Sequence, residues 1–436
     1  MDQQLHRVRL GEEVYFSSIQ DPKFKHNCIS VNLVTPLAED TVTANALLLG
    51  LLRRGSKSCP DFTRLEQTLC ELYGASLSAD VGKFGERQVL TCSIVGIDDR
   101  FALEGESVSA GCARLLGEIL LDPNITGGAF PEEDFRLERQ NLIDTIEAEI
   151  NDKRVYTLNR CKALMCQGTR LAIPKYGWVE KAKALTAREA AERYRGLIDT
   201  ARVEIIFVGC GSPDGAREEF RRLFAGVERH PLPFASSPVV PAAGAVKEQT
   251  VELEIAQSKM AMGLRTGELA EKSQLNATRL MSFLYGGSPF SRLFVHVREE
   301  KSLCYYCAAR FDRVTGIMMV DIGVERDNAA AAREAILEQL RALAAGEFTD
   351  EELESARRSY LNALYSTPDT LSGLEGWYLT QILCGSEASP REEAEEMARV
   401  TREEVIAAAR RVTLDTVFLL ASKPGADEGR EECQDA

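Results

Sequence analysis

The sequence predicts an α+β protein of two homologous domains, each an antiparallel β-sheet covered by helices. Three observations predict it. The chain has 436 residues, too many for one core, since domains usually settle at about 100–200 residues. A stretch from Arg229 to Val246 carries Pro231, Pro233, Pro238 and Pro241 beside Ser236-Ser237 and Gly244, a composition that reads as a linker. The order of elements then recurs on either side: Phe62-Thr63-Arg64-Leu65 and Phe290-Ser291-Arg292-Leu293 match 228 residues apart. The expected boundaries are 1–228 for the first domain, 229–247 for the linker, 248–423 for the second domain and 424–436 for an acidic tail too polar to join a core.

In the first domain, Leu47-Leu48-Leu49-Gly50-Leu51-Leu52, stopped by Arg53-Arg54, reads as a buried helix. A helix follows Phe62, then β-rich runs at Leu77 to Val81 and Val89 to Val95. Thr186-Ala187-Arg188-Glu189 fits the Thr-x-x-Glu capping box, in which side chains satisfy the orphan amides of a helix start. That helix runs through Asp199-Thr200 into a strand at Val203 to Val208. The second domain repeats the order: a helix from Phe290 to Lys301, β-rich runs at Cys304 to Phe311 and Ile317 to Val324, a capping box at Thr401-Arg402-Glu403-Glu404, then Asp415-Thr416 and a strand at Val417 to Leu420. Two matches in one order argue for a duplicated unit. Between them lies an Ala/Leu/Glu-rich helix from Asn328 to Ala345, stopped by Gly346. The box Thr349-Asp350-Glu351-Glu352 opens another that runs toward Tyr365 and ends before Pro368. Strands alternating with long, sometimes consecutive helices predict helices on one face of each sheet.

Composition excludes some functions. A net charge of −15 disfavours nucleic acid and anionic membrane as partners, and no apolar run nears the roughly 20 residues of a membrane span. The start, Met1-Asp2-Gln3-Gln4-Leu5-His6-Arg7, lacks the basic and apolar regions of a signal peptide. The twelve cysteines are scattered singly, as reduced thiols in a cytoplasmic protein would be. Their one close pair, Cys304-x-x-Cys307, reads as strand core, and Gly209-Cys210-Gly211 as a turn. A catalytic zinc needs three protein ligands, and on a helix HxxEH supplies two of them plus a general base. The four histidines are His6, His26, His230 and His296, with none between His26 and His230, so the first half cannot supply a His pair from one helix. His296, near Glu299 and Glu300, reads as surface.

Residues Gly286 through Tyr306 resemble the second-domain signature of the insulinase/pitrilysin-like zinc peptidases. Lys175-Tyr176-Gly177-Trp178 and the run from Thr349 to Gly385 resemble further landmarks of that family, so the likeness covers nearly the whole chain. It implies two halves enclosing a peptide chamber, with Arg298 and Tyr305, seven positions apart, reaching toward substrate. Arg offers fixed donors and Tyr a hydroxyl; together they can hold a peptide carbonyl and steady the oxyanion formed on it. Tyr306 is the competing choice, because adjacent strand residues point to opposite faces, and only the spacing selects Tyr305. The resemblance also locates the family's zinc positions. Arg54-Gly55-Ser56 resembles the Lys-Gly-Thr after the zinc helix, and counting back puts Ala46, Leu49 and Gly50 where the first His, the Glu and the second His stand in active relatives. The later Glu ligand falls within Leu142 to Ile146, at Thr145; Glu147 and Glu149 nearby read as a solvated helix face.

The resemblance thus implies a non-catalytic subunit with no metal of its own, working as a heterodimer with an HxxEH-bearing partner that carries zinc. Its substrate would be an extended or unfolded peptide; relatives are connected with peptide or bacteriocin maturation and with elongation factor P modification. Two other readings stay open: a structural subunit like the core proteins of respiratory complexes, and a stand-alone peptide binder working by strand addition.

Overall fold

Strands with apolar residues on alternate positions build two β-sheets, one in each of two units. The computed structural model describes residues 3–233 and 239–423, so the acidic tail at 424–436 and part of the expected linker lie outside the described residues. The first sheet contains β1 (His6–Gly11), β2 (Val14–Gln20), β3 (His26–Pro36), β4 (Ser76–Phe84), β5 (Arg87–Ile97) and β6 (Arg202–Gly209), in the order β1-β2-β6-β3-β5-β4. The second contains β7 (Lys247–Leu253), β8 (Ser258–Arg265), β9 (Tyr306–Asp312), β10 (Ile317–Val324) and β11 (Thr413–Ser422), in the order β7-β11-β8-β10-β9. All neighbours are antiparallel except β2 with β6 and β7 with β11. Without β1 the two orders coincide strand for strand, including the place of the parallel pair. The duplication is therefore written in the topology, and the sheets are antiparallel-rich rather than purely antiparallel. Among the described residues, no helix is long and apolar enough to cross a membrane.

Each sheet is covered on both faces, where the sequence predicts helices on one. In β6, Val203, Ile205 and Phe207 join the main core of the first unit, while Ile206 and Val208 face the other way, as strand alternation dictates. That second face is closed by Leu374, Tyr378 and Ile382 of the helix Leu371–Leu383. The second unit shows the reciprocal arrangement. Cys161, on the helix Lys153–Met165, packs against Ala261, Phe418 and Leu420, and Arg154 on the same helix pairs with Asp321 of β10. Each unit thus holds a segment from the other half of the sequence, 367–390 in the first and 148–172 in the second.

Local chemistry fixes the helix starts. The backbone N–H of Thr186 donates to Glu189 at 2.9 Å and that of Glu189 to the Thr186 hydroxyl at 3.3 Å. Thr401 with Glu404 makes the same reciprocal pair at 2.7 and 3.2 Å, and Thr349 with Glu352 at 2.6 and 3.1 Å. Replacing Thr401 by Ala should cost about 1 kcal/mol, read as a lower urea midpoint at unchanged slope. Gly346 ends the helix Ala329–Ala345 with a φ of +81°, a conformation that favours glycine.

Two further expectations need correction. Asp415-Thr416 lies inside β11 instead of before it; the register shifts there, and the buried Asp415 carboxylate accepts from Arg265 Nε at 3.0 Å. Arg229, at the head of the expected linker, is buried, and donates to the carbonyls of Ile198 at 2.8 Å, Glu12 at 2.7 Å and Ala201.

Candidate functional site

Ala46, Leu49, Gly50 and Thr145, the positions that the resemblance matches to the family's zinc ligands and base, line one shallow cleft in the first unit, of about 170 Å³. Ala46, Leu49 and Gly50 come from the helix Val42–Leu52, and Thr145 from the helix Glu132–Glu147, with Ala79 to Val81 of the edge strand β4 on the third side. The first helix is apolar nearly all round and almost wholly buried, so Ala46 and Leu49 serve the core. Gly50 has a different neighbour. The Glu138 carboxylate lies where its Cβ would stand, and Arg54 grips that carboxylate at 2.5 and 2.6 Å. A His at 50 would have to push Glu138 off its partner. Thr145 is exposed, and its hydroxyl turns back to donate to the Asn141 carbonyl at 2.7 Å.

These residues do not suit a zinc ion. Zinc takes Cys, His or carboxylate ligands, at least three of them from the protein. The cleft offers one engaged carboxylate at Glu138, a carboxylate on the edge strand at Asp80, and no imidazole or thiol. Among the described residues, no group of three His, Cys, Asp or Glu could hold a metal ion. Glu147 is exposed, and Glu149 accepts from the Asn159 side chain. The Arg54–Glu138 pair escapes the sequence reading, although one signal was available: Glu138 precedes Thr145 by seven residues, two helical turns, and so shares its face.

The second constellation lies in the other unit. Arg298 sits near the end of the helix Leu293–Glu300, which is wound with π-type turns. Its side chain is 37% exposed, pairs with Glu299 at 3.2 Å and lies over the Phe294 ring at 4.5 Å. Ser302, with a φ of +49°, turns the chain toward β9. The strand begins at Tyr306, not at Cys304, because residues 302–305 make that turn. Tyr305 therefore precedes the strand. It is 60% exposed, and its hydroxyl donates to Glu325 Oε1 at 2.6 Å. Tyr306 has other neighbours: its ring lies under the Arg154 guanidinium at 4.7 Å and the Lys259 ammonium at 5.2 Å. Burial, then the Asp321 carboxylate, holds its phenol above the usual range. His296 pairs with Glu300 at 2.8 Å. The Cys307 thiol is buried and hydrogen-bonds Cys304; that bond, helped by the Arg298 charge, draws the Cys304 pKa down.

Comparison with known proteins places this geometry among relatives. A family profile described as "Peptidase M16 inactive domain" matches residues 184–360. Over 412 residues the chain is 29% identical to the "Probable inactive metalloprotease YmfF" of Bacillus subtilis (strain 168), covering 94% of this chain and 96% of that one. A crystal structure of a conserved protein from Enterococcus faecalis V583 superposes with a TM-score of 0.88 at 27% identity, over 96% of this chain and 99% of the other. That of a peptidase M16 inactive domain from Pseudomonas fluorescens does so with 0.75 at 15% identity, over 96% and 98%, a likeness of fold alone.

Proposed function

We propose, from the premise that the chain is an inactive M16-like peptidase homologue, that it is the non-catalytic subunit of a two-chain zinc peptidase. In this reading the partner brings HxxEH and the zinc. This chain brings peptide binding and the Arg298/Tyr305 pair, and the complex processes extended peptides in the cytoplasm. One contrast carries the proposal: the metal positions have been rebuilt as core and salt bridge around Gly50 and Glu138, while Arg298 and Tyr305 keep solvent-exposed polar groups. A subunit kept only for shape has no need to hold a guanidinium and a phenol at that spacing in water. The outer edge of β4, beside the cleft, carries no further strand among the described residues, and is also a surface to which an extended peptide can add as a strand.

The test is reconstitution. Affinity capture of this chain should bring down an HxxEH-bearing partner, with about one zinc per pair of chains and far less on this chain alone. A labelled peptide should be cleaved only when both chains are present. Near-stoichiometric zinc with chelator-sensitive hydrolysis by the pure chain would refute the proposal. The structural-subunit reading has one observation in its favour, since Tyr305 and Arg298 already have carboxylate partners in Glu325 and Glu299.

A further inference from the structure

The pair Cys304-x-x-Cys307 plays no part in the function proposed above. It reads as strand core in the sequence, yet only one member is. Cys307 is buried on β9 and belongs to the same core as Ala309 and Ile322. Cys304 precedes the strand and is half-buried. In a regular strand, residues three apart face opposite ways. Here the backbone departs from that rule. The Tyr305 N–H donates to the Gly323 carbonyl at 3.0 Å, although Gly323 stands opposite Tyr306 in the register of β9 and β10. Two residues of one strand thus share one of the other, the count of a β-bulge, and the extra residue brings Cys304 round to the side of Cys307.

The Cys307 thiol donates to the Cys304 sulfur. That bond, with burial, holds the Cys307 thiol well above its usual range. The same bond, helped by the Arg298 guanidinium, draws the Cys304 thiol down. The Leu303 N–H donates to the Val297 carbonyl at 3.2 Å, which ties this turn to the helix that carries Arg298. One sulfur therefore has thiolate character and reaches the surface, and a second, protonated one touches it. Those are the two parts of a reversibly oxidised pair: an attacking thiolate and a resolving thiol. Thiols elsewhere in the cores are different. Burial pushes those of Cys28, Cys92, Cys112 and Cys161 up to about 12, where a thiol is inert.

We propose that Cys304 and Cys307 form a redox-modification site, at which hydrogen peroxide converts the pair to an intramolecular disulfide. The Cys304 thiolate attacks one peroxide oxygen, the O–O bond breaks, and the departing hydroxide takes up a proton and leaves as water. Cys304 is then a sulfenic acid. The Cys307 sulfur attacks the Cys304 sulfur; the S–S bond forms, the S–O bond breaks, and the hydroxyl leaves with the Cys307 proton as a second water. The two sulfurs together lose two electrons, which the peroxide gains. A small dithiol reverses the change by thiol–disulfide exchange. The ring so closed contains Tyr305 and Tyr306, and the negative sulfur beside Arg298 is lost. Oxidation thus acts on the segment that carries Arg298 and Tyr305. The inference goes beyond the proposed function and does not depend on it.

The experiment is thiol mapping of the full folded chain after brief exposure to hydrogen peroxide. Remaining thiols are blocked with N-ethylmaleimide in denaturant, and tryptic peptides are weighed by mass spectrometry. Residues 302–310, between the cleavage sites at Lys301 and Arg310, form one peptide that holds both cysteines and no other. That peptide should lose both maleimide labels together and weigh two hydrogens less than the reduced form. A small dithiol added before blocking should restore both labels. Cys70 and Cys384, which are exposed, should keep their labels at the same peroxide dose. In Cys307→Ala, Cys304 should stop at the sulfenic acid and be captured by dimedone; in Cys304→Ala, Cys307 should keep its label. The unsubstituted chain decides the matter even if a variant fails to fold. Retention of both labels, oxidation of Cys70 or Cys384 ahead of the pair, sulfinic acid on Cys304 without a disulfide, or a disulfide that forms only in denaturant overturns the proposal. Because neither partner nor peptide is needed, the result is independent of whether the two-chain peptidase exists.

Discussion

Replacing Tyr378 by Ala should destabilise the first unit by about 3–5 kcal/mol, although the residue comes from the second half of the sequence. Tyr378 is fully buried and packs with Ile19, Ile206, Val208, Leu374 and Ile382. Its hydroxyl donates to the Gln3 carbonyl. Truncation removes the ring, leaves a cavity that the sheet cannot close, and costs a backbone carbonyl a donor. Tyr378→Phe isolates the last term and should cost about 1 kcal/mol. Urea unfolding gives the magnitude, and hydrogen exchange gives the place: amide protection should fall in β2 and β6 as well as in the helix Leu371–Leu383. Exchange that rises only in that helix, or a loss below about 1 kcal/mol where a large buried ring normally costs several, would mean that the helix is an accessory to the sheet.

That helix also explains what a sequence can and cannot reveal here. β6 is legible because Val203 to Val208 is apolar at every position but Glu204, the mark of a strand buried on both faces. β3 is harder to see. Its polar residues Ser30 and Asn32 suggest a solvent face, yet both are buried. They are satisfied by Glu375 on the exchanged helix, whose carboxylate accepts from the Ser30 hydroxyl at 2.7 Å and from Asn32 Nδ2 at 3.5 Å. Burial raises the Glu375 carboxyl above the usual range. A partner more than 340 residues away leaves no periodic trace, which is why helices on a single face are the natural expectation. Capping boxes, by contrast, act within four residues and can be read directly. The candidate site divides in the same way. Ala46, Leu49 and Gly50 follow from their distance to Arg54-Gly55-Ser56, a local count. The carboxylate that occupies the space beside Gly50 comes from Glu138, 84 residues beyond Arg54, and only the packing of two helices brings it there.

In the two-chain enzyme proposed above, Arg298→Ala should lower kcat by roughly 10²–10³, the usual loss for one oxyanion donor, equivalent to about 2.7–4 kcal/mol. The complex itself should stay assembled. The Arg298 side chain is partly in water, and its contacts with Glu299 and the Phe294 ring are local to its own helix, so truncation removes a charge without opening a core. Tyr305→Phe should cost less. The Tyr305 hydroxyl already donates to Glu325, and a donor that must leave one acceptor for another gains only the difference. Tyr306→Phe is the control, because its ring lies against Arg154 and Lys259. The kinetic constants separate the roles: kcat and kcat/KM falling together place the contact in the transition state, whereas a rise in KM alone means that the peptide is merely anchored. Full activity of both variants in an intact complex would remove the chemical role from Arg298 and Tyr305. Their carboxylate partners would then be the reason the two side chains are held where they are, and the chain would act through its shape alone.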